Sequence, residues 1–167
     1  MMQNLRSQIP WWKGSRGEWY FTGQGILLVL VAMGPRTLPW LPALTGLYAN
    51  VTFIIGAIFL PVGGVLATWG MISLGKNLTP LPYPKDDGVL IESGPYSIVR
   101  HPIYCGLLFA SFGWGLLVHG WLTISFAMLL FVLLDIKSRR EERWLIDKFS
   151  EYVTYQKRVR KLIPFIY

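Results

Sequence analysis

Two short stretches hold the side chains best suited to chemistry. Arg100 and His101 stand directly before Pro102 and an apolar run, flanked by Tyr96 and Tyr104, while Lys137, Arg139, Arg140, Glu141 and Glu142 follow a second apolar run. Proline suits the first turn of a helix, because its missing N–H would have no intrahelical partner there. Arg100 and His101 are therefore expected beside a helix N-terminus, where free N–H groups and the positive end of the dipole favour a carboxylate or phosphate. The two glutamates add an anionic corner and the tyrosines add flat faces. That combination fits a zwitterionic ligand carrying a ring.

The elements that bring the two stretches together are apolar. With 53% hydrophobic and only 15% charged residues, the chain is too apolar for a typical soluble domain. Four runs, residues 18–34, 48–74, 102–118 and 121–136, approach or exceed the ~20 residues needed to cross ~30 Å of hydrocarbon. The first is the weakest, being interrupted by Thr22, Gly23, Gln24 and Gly25. It could also be read as a signal peptide with a cleavage site at Ala32-Met33-Gly34, but Pro35 argues against cleavage. In the second run Pro61, Gly63 and Gly64 are expected to kink one span rather than split it. Between Leu117 and Trp121 only a tight turn fits, so the third and fourth runs should form an antiparallel hairpin. The hairpin returns the chain to the side on which Arg100 and His101 lie.

The net charge of +7 is distributed as in a membrane protein rather than a nucleic-acid binder. Basic residues precede the first run, lie in the central loop and recur nine times from Lys137 to Lys161. The two remaining loops hold only Arg36 and His119. The positive-inside rule then places both termini and the central loop in the cytoplasm. The tryptophans Trp11, Trp12 and Trp19, with Pro10, suggest an interfacial anchor before the first run. Small residues, as in Gly106-x-x-x-Ala110, should let membrane helices approach closely. The single Cys105 excludes an internal disulfide and any multi-cysteine metal site, and no metal is expected. His119 is expected to be exposed at the outer turn. The proline-rich loop 75–99, with Leu78, Val89, Leu90 and Ile91, is expected to form an ordered cap. After the fourth run an amphipathic helix, with Leu145, Phe149, Tyr152 and Val159 as its apolar stripe, should lie at the cytoplasmic interface.

The stretch Gly94-Pro95-Tyr96-Ser97-Ile98-Val99-Arg100-His101-Pro102-Ile103-Tyr104-Cys105-Gly106 is followed by Glu141-Glu142-Arg143-Trp144-Leu145. Next come Tyr152-x-x-Tyr155-x-x-Arg158-Val159 and a closing Ile163-Pro164. These motifs resemble those of the isoprenylcysteine carboxyl methyltransferase family, related to the phospholipid methyltransferases, over residues 74–165. The resemblance implies an all-α polytopic membrane protein of about four transmembrane helices. Residues 1–167 would form a single domain: N-terminal spans to residue 74, a cytoplasmic cofactor loop over 75–100, then a hairpin and C-terminal amphipathic helix over 101–167. It implies S-adenosyl-L-methionine as cofactor, bound by Gly88, Val89, Leu90, Ile91, Tyr96, His101, Pro102, Ile103, Tyr104, Glu141 and Glu142. Arg100, Lys137 and Glu141 would form the catalytic set, with Lys137 and Arg140 meeting the acceptor. Lys137 stands where the family has an arginine, keeping the charge but not the planar fork that grips a carboxylate at two points. The implied acceptor is amphipathic or apolar: a prenylated cysteine carboxylate, a thiol or a lipid. Two rival readings are a haem-binding membrane isomerase or oxidoreductase using His101 as axial ligand, and a non-enzymatic membrane scaffold.

Overall fold

The computed structural model describes residues 17–79, 83–85 and 87–167. Pro10, Trp11 and Trp12 of the expected anchor lie outside them. Among the described residues the fold is all-helical. In chain order α1 is Glu18–Met33, α2 Gly46–Leu74, α3 Pro102–Leu117, α4 Trp121–Lys148 and α5 Tyr152–Arg158. Short 3-10 turns at Gly75–Asn77 and Gly94–Ser97 punctuate the loop between α2 and α3. Two helical segments, Gly46–Asn77 and Trp121–Lys148, are long and apolar enough to cross a membrane. The apolar helices α1 and α3 are shorter, at 16 residues each, or about 24 Å at the usual helical rise.

Helix α2 runs unbroken through Pro61. Its union with α3 rests on glycines that let the two backbones touch. A Cβ on Gly63 would fall 2.4 Å from the Ala110 nitrogen, and one on Gly106 would fall 2.5 Å from the Gly63 oxygen. Gly113 and Gly56 continue the seam against Leu60 and Leu117. Where lipid offers no hydrophobic drive for association, such contact supplies the dispersion attraction that holds helices together. The third and fourth helices form the expected hairpin around a turn at Val118–Gly120, and α1 packs over α4 and α3. Leu108, Leu130 and Leu134 are buried between them, with Leu27, Leu28 and Phe112 against their flanks.

Three expectations change. The fourth run does not end near Ile136: α4 continues to Lys148, because the switch to charged residues introduces no helix breaker. The separate amphipathic helix is absent as drawn, since the helix stops at Lys148 and Phe149 turns extended. The seven-residue α5 that follows directs Tyr152 and Tyr155 inward, at 1% and 2% exposure. His119 is partly buried, its Nε2 lying 3.1 Å from the Ala49 carbonyl oxygen.

Gly63→Ala should lower stability by roughly 1–3 kcal/mol through overpacking. Gly64→Ala, where a Cβ meets nothing within 4 Å, should leave stability unchanged or slightly raised. Thermal unfolding of both variants in the same detergent checks the contrast.

Candidate functional site

The site begins with a backbone tie. Val99 and Arg160 form an isolated parallel bridge, in which the Arg100 N–H donates to the Arg160 carbonyl (2.8 Å) and the His101 N–H to that of Lys161 (3.1 Å). The segment after α5 thus fixes the residues that precede α3. The Arg100 guanidinium is held within the protein through its Nε and Nη1. Its Nε donates to Glu142 Oε1 at 2.7 Å, and its Nη1 to the carbonyls of Val159 (2.5 Å) and Gln156 (3.2 Å).

Glu142 is the hub of this arrangement. The same Oε1 lies 3.1 Å from His101 Nε2, and Oε2 accepts from Gln156 Nε2 at 3.0 Å. Neighbouring residues on a helix point about 100° apart, so Glu141 faces elsewhere. Its Oε2 accepts from the Tyr104 hydroxyl at 2.8 Å and lies 3.9 Å from His101 Nδ1. The His101 and Tyr104 rings stack nearly parallel, 4° apart with centroids separated by 5.3 Å. One turn before Glu141, the Lys137 ammonium donates to Gln24 Oε1 at 2.7 Å and lies 4.9 Å from the centre of the Tyr104 ring.

A cavity of about 370 Å³ opens over these groups, within the ~300–1,000 Å³ range of sites that enclose small ligands. Of the residues predicted from sequence, Gly88, Val89, Leu90, Ile91, Tyr96, Arg100, His101, Pro102, Ile103, Tyr104, Lys137 and Glu141 line it. Glu142 is not on its wall and instead holds Arg100 and His101 from behind. Arg140 does not line it either, because its guanidinium rests 5.0 Å over the Trp144 ring and 5.7 Å over that of Tyr20.

Other wall residues escaped the sequence reading: Phe21 and Gln24 from α1, Met71 and Leu74 from α2, and Leu145, Phe149, Tyr152 and Tyr155. A glutamine inside an apolar helix was the one available signal for α1. Tyr155 donates to the Tyr96 carbonyl at 2.5 Å and Tyr96 to that of Gly70 at 3.4 Å. Burial raises the hydroxyl pKa of Tyr96, Tyr152 and Tyr155 well above the ordinary phenol value, so all three stay protonated.

The residues present suit a ligand that carries a cationic group and a flat ring. The Glu141 carboxylate is a quarter exposed and accepts a hydrogen bond from the Tyr104 hydroxyl. It is the carboxylate open to a cationic ligand, whereas both oxygens of Glu142 are already engaged. The aliphatic loop Val89–Leu90–Ile91 and the Tyr104 ring supply apolar and flat walls.

A family model described as phospholipid methyltransferase matches residues 51–152. Protein-S-isoprenylcysteine O-methyltransferase of Saccharomyces cerevisiae is 34% identical over 119 residues, 68% of this chain and 49% of the relative. The Schizosaccharomyces pombe protein of the same name is 30% identical over 112 residues, 65% of this chain and 48% of the relative. The chain thus spans about half the length of these relatives. The solved structure of a eukaryotic intramembrane Ras methyltransferase, isoprenylcysteine carboxyl methyltransferase, superposes with a TM-score of 0.64 at 25% identity, covering 91% of this chain and 54% of that one.

Removing the Glu142 side chain leaves a buried guanidinium without its counter-charge. Glu142→Ala should therefore cost roughly 3–5 kcal/mol, whereas Arg139→Ala, at an exposed pair with Asp135, should change stability little. Chemical or thermal unfolding of the two variants tests the difference.

Proposed function

The chain belongs to the phospholipid methyltransferase family, and from that premise we propose that it is an integral membrane methyltransferase. It would use S-adenosyl-L-methionine and act on an amphipathic or apolar acceptor. The observation that carries this reading is the unequal state of two adjacent glutamates: Glu142 is consumed by Arg100, His101 and Gln156, while Glu141 faces a ligand-sized cavity. When bound, the cofactor would supply a methyl group activated by its sulfonium, which passes to the acceptor's nucleophile as S-adenosylhomocysteine leaves.

The chain's own residues then have positioning to do rather than proton chemistry. Glu141 holds the cofactor's ammonium and the Tyr104 hydroxyl orients that carboxylate. Arg100, bound by Glu142 and two carbonyls, keeps the His101 ring and the helix mouth in place on the cavity wall. Val89, Leu90 and Ile91 cover the ring and help exclude water. Lys137 presents its ammonium toward the acceptor, as a point charge rather than a two-pronged grip.

The membrane placement follows the same reading. Helices α2 and α4 cross the bilayer, and α1 and α3 complete a four-span bundle by tilting less or thinning the bilayer locally. The basic residues flanking the site put it, with both termini, on the cytoplasmic side. An acceptor with an apolar tail reaches the cavity at the boundary between lipid and water. S-isoprenylcysteine, the group in the names of the yeast relatives, is the first acceptor to try.

Purified protein should bind S-adenosylhomocysteine in calorimetry, and its membranes should transfer radiolabelled methyl from the donor to N-acetyl-S-farnesylcysteine, a small thiol or a phospholipid amine. Absence of S-adenosylhomocysteine binding would overturn the reading. Glu141→Gln should weaken that binding by roughly tenfold to a hundredfold, the worth of one charge-assisted contact, with unfolding unchanged. Equal affinity in the variant would remove Glu141 from the site.

A further inference from the structure

Helix α1 lies outside the matched segment 51–152, yet it supplies Phe21 and Gln24 to the cavity wall. Gln24 is a polar side chain inside a mostly apolar helix, and such residues at membrane depth usually serve a partner. Here the partner is Lys137, whose ammonium donates to Gln24 Oε1 at 2.7 Å. Lys137 is 2% exposed, so it cannot satisfy its charge in water.

The geometry around Lys137 makes the pairing consequential. Glu141 is four residues further along α4, the spacing at which a lysine and a glutamate share a face and pair. A lysine stem is long and flexible, and its ammonium is free to seek the nearest carboxylate. Among the described residues there is no Lys137–Glu141 salt bridge: Glu141 is held by Tyr104 and Lys137 by Gln24 and the Tyr104 ring. Tyr104 thus stands between the two charges, and Gln24 draws the ammonium to the α1 side.

We infer that Gln24 is a positioning residue which keeps Lys137 from pairing with Glu141, leaving that carboxylate open to the cofactor's ammonium and the lysine directed at the acceptor. The inference rests on the proposed cofactor reading and assigns α1 a part in the site. Without an oxygen at position 24, the lysine closes onto Glu141 and competes with the ligand as an internal cation. The loss is therefore caused by Lys137 and disappears when Lys137 is removed.

S-adenosylhomocysteine binding, measured by calorimetry on the full chain in detergent, separates the outcomes. Gln24→Leu should bind about tenfold more weakly than the unaltered protein. Gln24→Glu, which retains an oxygen acceptor for the ammonium, should stay within about twofold. Lys137→Met should bind at least as tightly as the unaltered protein, and adding Gln24→Leu to it should change nothing further. A Gln24→Leu loss that persists in the Lys137→Met background would make Gln24 merely structural and overturn the inference, as would a Gln24→Leu variant of unchanged affinity. If the unaltered protein itself fails to bind, the proposed function falls and the inference with it. If it binds and the cycle is additive, only the inference falls.

Discussion

A single buried carboxylate, Glu142, holds the functional end of this molecule together. It is 8% exposed and receives the adjacent Arg100 and His101 from one stretch of chain and Gln156 from another. A charge so placed is tolerable only when both oxygens are engaged and a counter-ion is present. Arg100 provides that counter-ion, and it also donates to carbonyls of the segment running from α5 into the chain's last residues. The start of α3, the charged extension of α4 and the turn after α5 are therefore mutually fixed. The desolvation cost of such a buried pair offsets much of its Coulomb attraction.

That fixed frame gives two neighbouring glutamates different tasks. The helical rotation between adjacent residues turns one toward the frame and the other toward the cavity. His101 lies between them, with one ring nitrogen near each carboxylate, and its stacking on Tyr104 fixes the ring plane. A site built this way has its orientation set before any ligand arrives, which is what a positioning reaction demands.

Behind the site, packing follows the demands of a lipid environment. The α2–α3 seam uses glycine and alanine because only they allow the close backbone approach that yields enough dispersion contact without a hydrophobic drive. The same seam places Met71 and Leu74 of α2 beside Ile103 of α3, as part of the cavity wall. Helix α1 covers the other side and carries Gln24 to Lys137.

The order of apolar runs, the helix start at Pro102, the hairpin and the small-residue seam were all readable from the chain alone, because each depends on local composition or spacing. So was the gathering of Arg100, His101 and Glu141 at one end of the hairpin, which follows from its geometry. The sequence did not reveal that Arg100 pairs with Glu142, that Arg140 turns to Trp144 and Tyr20, or that α4 runs on to Lys148 before α5 turns Tyr152 and Tyr155 inward. Nor did it tie Gln24 to Lys137. These are choices among several equally charged or equally polar neighbours. Chain periodicity assigns a side chain to a face of its own helix, but which partner that face meets is decided only when distant segments pack, since the cost of a buried unpaired charge selects one pairing from the many that the sequence permits.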